Sequence, residues 1–159
     1  MRLGRICRKS FAKDPLSGTG GLFASGRWHI HPRPVIYASE SLALANLEFL
    51  VHLQEGDLPR DPLALEFDVP EDILVASLEV SELPRSWRRI PPPRAIQELG
   101  NSWLNGNSSA VLRVPSTIIP SEFNFLINPL HPDRERITVV SKKNFTLDRR
   151  LIVPRQGDR

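Results

Sequence analysis

A chain of 159 residues, 40% hydrophobic and 25% charged, has the length and balance of one soluble globular domain with a sizeable core. Its net charge of +3 and sequence pI of about 9.5 are mildly basic. The basic residues are dispersed apart from pairs such as Arg88–Arg89 and Lys142–Lys143, so the stripe of a nucleic-acid surface is not indicated, whereas an anionic small ligand suits a basic pocket. A single cysteine, Cys7, excludes a disulfide framework within the chain, and no stretch approaches the ~18 apolar residues of a membrane helix.

The opening "MRLGRICRKSFAK" lacks the apolar run of a signal peptide, so a cytoplasmic protein is expected. In that setting the glycosylation sequons at Asn107 and Asn144 carry no weight. Fifteen prolines punctuate short elements along the chain. A Gly-rich "GTGG" precedes "SGRWHIHPRP", and the β-branched and aromatic "PVIYA" reads as a strand. A helix follows from about Ser41 to Leu53. Leu42, Ala45, Phe49 and Leu53, with Leu44, Leu47 and Val51, form a wide apolar stripe, and Ser39 or Ser41 can cap its start.

"LALEFDV" alternates cleanly: Leu63, Leu65, Phe67 and Val69 face one way, Ala64, Glu66 and Asp68 the other, with Glu66 expected in solvent. "ILVASLEV" reads as a further strand. A second helix spans Pro93 to Leu104, with proline in its first turn and Ile96, Leu99 and Trp103 on one face. "AVLRVPS" and "RITVVS" are strands, and the intervening "VPSTIIPSEFNFLINPLHPD" reads as apolar and turn-like. Neither an internal repeat nor a long linker appears. Mixed strands with few helices and no regular βαβ alternation predict α+β, one compact domain over residues 1–159 with mixed sheets.

Several side chains draw attention. Glu48 has Leu44 four residues before it and Val51 three after, so it lies on or beside the apolar stripe. A carboxylate there needs a partner or a function, or else packs its stem and sends its head to water. Arg27 follows glycines that let a backbone approach a ligand, and its planar fork suits phosphate or carboxylate; a plain surface arginine accounts for it equally well. Tyr37 reads either as a half-buried strand aromatic or as a neighbour of Glu48 across a strand–helix corner. Ser116 follows a strand and a fixed proline, and Asn124, Asn128 and His131 crowd the segment after it.

Other chemistry lacks its motif. "GTGGLF" is neither a dinucleotide fingerprint nor a phosphate loop. His29 and His31 sit two apart but have no third ligand at a recognisable spacing, so no metal site is expected. Cys7 has no defined catalytic partner, and a serine nucleophile lacks its G-x-S-x-G elbow.

In order and spacing these pieces resemble the RES domain, a family of bacterial toxins paired with Xre-type antitoxins. "GRICR" is similar to the family's opening "W-R-I" strand and places Arg5. "GGLFASGRWHIHPRPVIYASESLALANLEFLVHL" resembles its "G-G-R-W-N…G…V-V-Y-x-A-E-S…A-L-E…V-H-L" core and places Arg27, Tyr37 and Glu48. "GNSWL" and "VLRVPSTIIPSEFNFLINPLHPD" resemble its "G-x-x-W…V-P-S…N-Y-L-I-N-P-x-H-P" tail and place Ser116. His29 stands where the family often has Asn, and Phe125 where it often has Tyr.

The resemblance implies a fold similar to ADP-ribosyltransferases and cleavage of the nicotinamide–ribose bond of NAD, with water or phosphate as acceptor. It implies Glu48 beside the ribose, Arg27 and Arg5 on the pyrophosphate, Tyr37 against the nicotinamide riboside, and Ser116 on a ribose hydroxyl or the acceptor. NAD is then the substrate, phosphate a co-substrate, and neither metal nor cofactor is needed. The expected partner is a helix-turn-helix antitoxin of Xre type, with DNA engaged only through it and a homodimer conceivable within the complex. Two rival readings remain: ADP-ribose transfer to a macromolecule, and a basic nucleic-acid-binding module without enzymatic activity.

Overall fold

The computed structural model describes residues 1–53 and 61–151; the rest of the predicted 1–159 domain lies outside the described residues. In chain order the elements are β1 (Arg2–Arg8), a short α1 (Gly20–Phe23), β2 (Ile36–Ser39), α2 (Leu42–Leu50), β3 (Pro62–Asp68), β4 (Val75–Ser77), α3 (Arg94–Gly106), β5 (Val111–Pro115), β6 (Phe123–Ile127) and β7 (Thr138–Asn144). The strands form one sheet in the order β4-β5-β6-β2-β1-β3-β7. All pairs are antiparallel except β4 with β5. A single βαβ unit, β4–α3–β5, joins strands that otherwise pair antiparallel, so the class is α+β, in one mixed sheet of seven strands.

The hydrophobic pattern decides which side of the sheet each residue takes. Leu3, Cys7, Leu63, Leu65, Phe67, Ile36, Phe125 and Ile127 pack into one buried cluster, as period-two alternation demands. On the other side Trp28, Trp87, Ile96, Trp103, Leu112 and Leu126 form a second cluster beneath α3. Removing each such large side chain from water is worth about 1.5–3 kcal/mol. Arg2, Arg94, Arg113 and Arg136 pair with Asp68, Glu98, Glu79 and Asp72. No helix among the described residues is long and apolar enough to cross a membrane.

Local expectations hold with four instructive differences. Ser41 caps α2, accepting a bond from the Leu44 N–H at 3.1 Å, but the helix stops at Leu50 and leaves Val51 exposed. On α3 the buried face is Ile96, Gly100 and Trp103, while Leu99 turns outward. The segment read as turn-like contains β6, a central strand between β5 and β2. Prolines 120 and 129 bracket it and hid a clean alternation of Phe123, Phe125 and Ile127 against Asn124 and Leu126. Glu66, expected in solvent, is half-buried on β3 between Gly4 and Ser141.

Candidate active site

The β1–β2 pairing is confined to Gly4 and Ser39. Beside that single bridge lies a cleft of about 740 Å³, a volume typical of small-molecule sites. Residues Gly4 to Ile6 of β1 and Tyr37 to Ser39 of β2 border it. Helix α2 supplies Ala45, Glu48 and Phe49, which helical spacing puts on one face, with His52 just beyond. The far wall includes Arg88, Ile90 and Pro92.

Glu48 is half-buried and held firmly. Its Oε1 accepts from the Ser116 hydroxyl at 2.9 Å and from the Asn124 side-chain N–H at 2.5 Å. Its Oε2 makes no hydrogen bond to the described residues. Ser116 is fully buried and is not part of the cleft lining. Its oxygen accepts from the Ile118 and Ile119 N–H groups at 3.1 and 3.2 Å, so its one proton is directed at Glu48. Asn124 is oriented in turn by the Ser39 hydroxyl, which donates to its Oδ1 at 2.7 Å. The β6 register puts Asn124 directly opposite Ser39 on β2 and Val114 on β5.

Arg27 reaches across the cleft mouth. Its Nη1 donates to the main-chain carbonyls of Trp87 at 2.7 Å and Arg89 at 3.2 Å. Nε and Nη2 make no hydrogen bond to the described residues, which leaves part of the fork for a ligand. Burial pushes the guanidinium down from its ordinary value, against the pull of Glu48 and Tyr37. Arg88, on the same far wall, donates to the Thr117 carbonyl at 2.9 Å. Arg5 is half-buried on β1 beside the cleft; burial lowers it too, and no hydrogen bond or ion pair to the described residues holds its side chain. Three arginines against one glutamate make this cleft attractive to an anion.

Tyr37 meets the cleft with its hydroxyl already committed. The oxygen accepts from the Trp28 N–H at 3.2 Å and donates to His29 Nδ1 at 2.8 Å. Burial drives the phenol well above its usual range, so it stays protonated. His29 is buried, accepts the Gly26 N–H on Nδ1 at 3.2 Å, and shares Nε2 with the Ala24 carbonyl at 3.1 Å. Burial lowers its pKa, and the neutral Nε2–H tautomer satisfies all three contacts. A side chain at position 26 would meet the Tyr37 hydroxyl at 2.6 Å, so glycine is required there. His31 is exposed, so the two histidines do not point together, and no metal-holding cluster exists among the described residues.

Of the residues singled out in the sequence, Arg27, Tyr37 and Glu48 line one cleft, Arg5 borders it, and Ser116 stands behind Glu48. Sequence reasoning missed Asn124 and Ser39 as holders of Glu48, and Arg88 as a wall residue. Reading "FNFLI" as a strand would have set Asn124 on the face opposite Phe123, Phe125 and Ile127.

The fold is an α+β domain with a cation-rich cleft around one tethered carboxylate, an arrangement whose charge suits a small anionic ligand. The sequence pattern of the RES domain matches residues 2–148, and the chain belongs to that family. Among curated proteins it is 39% identical over 147 residues to "Prs ADP-ribosylating toxin" of Sphingobium sp. (strain YBL2), covering 91% of each chain. It is 36% identical over 153 residues to "Toxin Res" of Photorhabdus laumondii, covering 96% of this chain and 97% of the relative. Among solved structures, the M. tuberculosis MbcT–MbcA toxin–antitoxin complex contains a chain of similar fold, with TM-score 0.75 and 16% identity over 91% of this chain and 84% of that one.

Proposed function

We propose that this protein is the toxin of a bacterial type II toxin–antitoxin pair and depletes NAD+ by breaking its nicotinamide–ribose bond. The observation that carries the reading is Glu48, tethered through one oxygen and facing a cleft with Arg27, Arg5 and Tyr37. The pyrophosphate pairs with the free part of the Arg27 fork and with Arg5 through charge-assisted bonds. The Tyr37 ring packs on the nicotinamide riboside, since its hydroxyl is spent on Trp28 and His29.

As the C1′–N bond breaks, its electron pair leaves with nicotinamide and neutralises the pyridinium charge. The ribose becomes oxocarbenium-like, as in glycoside cleavage. Glu48 Oε2 lies beside this developing cation, or holds a ribose hydroxyl, and stabilises the transition state electrostatically. Water or phosphate then bonds to C1′ on the sugar; water loses a proton to solvent. The products are nicotinamide with ADP-ribose or its 1-phosphate. Ser116 acts through Glu48 rather than on the sugar. NAD is substrate throughout, and no metal or recycled cofactor has a part. The partner is an Xre-type helix-turn-helix antitoxin that covers the cleft, with a toxin dimer in the complex; the toxin–antitoxin complex of similar fold supports an antitoxin partner. The site of action is the cytoplasm.

A second reading has its own support in the name of the Sphingobium relative: transfer of ADP-ribose to a macromolecule. Both readings share bond cleavage and differ in the acceptor. Purified, antitoxin-free protein incubated with NAD labelled in the adenosine part separates them. Free labelled ADP-ribose or its phosphate is the expected product; label on protein supports transfer. Absence of nicotinamide release from folded protein, with and without phosphate, overturns both.

A further inference from the structure

The loop that presents Arg27 is gripped along its length by one face of α3. Gln97 Nε2 donates to the Gly26 carbonyl at 3.0 Å. Asn101 Oδ1 accepts the Ile30 N–H at 3.1 Å. Asn105 Oδ1 accepts from the Arg33 guanidinium. These three side chains are four residues apart, so they stack on one face at a rise of about 6 Å per rung. The loop follows them in the same order, at residues 26, 30 and 33. Between the first two rungs Gly100 lets the Trp28 carbonyl come against the helix backbone, closer than any side chain allows. Helix and loop are about 70 residues apart in sequence, so nothing local sets this match.

Two of the rungs bracket Arg27 itself, one residue before it and three after. We infer that α3 is a splint for the Arg27 loop, and that Gln97 and Asn101 are positioning residues for the diphosphate of the ligand. This rests on the reading of the cleft as an NAD site. A loop freed from Gln97 or Asn101 still carries Arg27, but the guanidinium is no longer held between the Trp87–Arg89 carbonyls and the ligand. Binding through that group is made in ground and transition states alike, so its loss appears in KM rather than kcat.

The test uses the full chain and five proteins: wild type, Gln97→Met, Asn101→Leu, Asn101→Asp and Glu98→Gln. Glu98 pairs with Arg94 on the surface and serves as the control. ADP-ribose affinity is measured by calorimetry, with KM and kcat for NAD and the melting temperature of each protein. Gln97→Met and Asn101→Leu are expected to weaken ADP-ribose and raise KM roughly threefold to tenfold, the factor expected from one hydrogen bond, with kcat changed less. Asn101→Asp keeps the acceptor and restores wild-type KM; Glu98→Gln matches wild type. Where Asn101→Leu does not fold, Gln97→Met decides. Wild-type KM and affinity in the two disrupting variants overturn the splint while leaving the NAD site standing. Equal losses in kcat and KM, unrelieved in Asn101→Asp, also overturn it. A wild type that neither binds ADP-ribose nor turns over NAD overturns the NAD reading and the splint together.

Discussion

Gly100→Ala sets two opposite effects against each other, and the structure says which wins. In a helix interior alanine is favoured over glycine by about 1 kcal/mol. At this position, however, the added Cβ would sit 1.7 Å from the Trp28 carbonyl oxygen and 2.8 Å from its carbon. Ordinary contact begins near 3.4 Å, and both partners are main chain, so no side chain can swing aside. Loop and helix must part by about 1.7 Å. Such overpacking costs about 1–3 kcal/mol. The separation also stretches the Gln97 and Asn101 bonds on either side, each worth about 1 kcal/mol. The net destabilisation is about 2–4 kcal/mol, a fall in Tm of roughly 5–15 °C for a chain of this size. Thermal melting by circular dichroism reads it. A Tm equal to or above wild type would mean that helix propensity prevails and that α3 does not press on the loop.

Ser116→Ala removes the proton aimed at Glu48 and strands two half-buried N–H groups. It should cost about 1–3 kcal/mol in chemical denaturation and lower kcat more than KM; unchanged kcat would separate Ser116 from Glu48. Tyr37→Phe keeps the ring but orphans the Trp28 N–H and leaves His29 Nδ1 with the Gly26 N–H alone. A stability loss of about 1–3 kcal/mol with most NAD turnover retained is expected, whereas loss of turnover at unchanged stability would give the hydroxyl a chemical role. His29 is held neutral, with its folded pKa below the unfolded value near 6.5. Its contribution to stability is therefore complete above about pH 6.5 and is lost as pH falls toward the folded pKa, because the unfolded chain takes up the proton first. Melting curves at descending pH should fall more steeply for wild type than for His29→Asn; parallel curves would refute the assignment.

What the sequence made legible was local. The Ser41 cap, the α2 stripe and the β3 alternation follow from nearest-neighbour chemistry, and so did the place of Glu48 beside that stripe. The arrangement that turns Glu48 into a site is long-range: Ser116 lies 68 residues away and Asn124 76. Likewise the carbonyls that anchor Arg27 lie about 60 residues on, in a Pro-rich stretch with no periodic signal. For Ser116 the resemblance implies a ribose hydroxyl or the acceptor; its type and spacing do not show the bond that its buried hydroxyl donates to Glu48. His29 stands where the family often has Asn. In the structure it completes the hydrogen bonding of Tyr37 and closes the turn that carries Arg27.

The central claim is that Glu48 stabilises the departing ribose cation of NAD. Nicotinamide release by antitoxin-free wild type and by Glu48→Gln, measured side by side with their melting temperatures, tests it most directly. The variant keeps the shape of the side chain and removes its charge. Release is expected to fall by about 100-fold or more, the usual scale for deleting a preorganised electrostatic group, with the fold intact. Near-wild-type release from a folded Glu48→Gln protein would contradict the account.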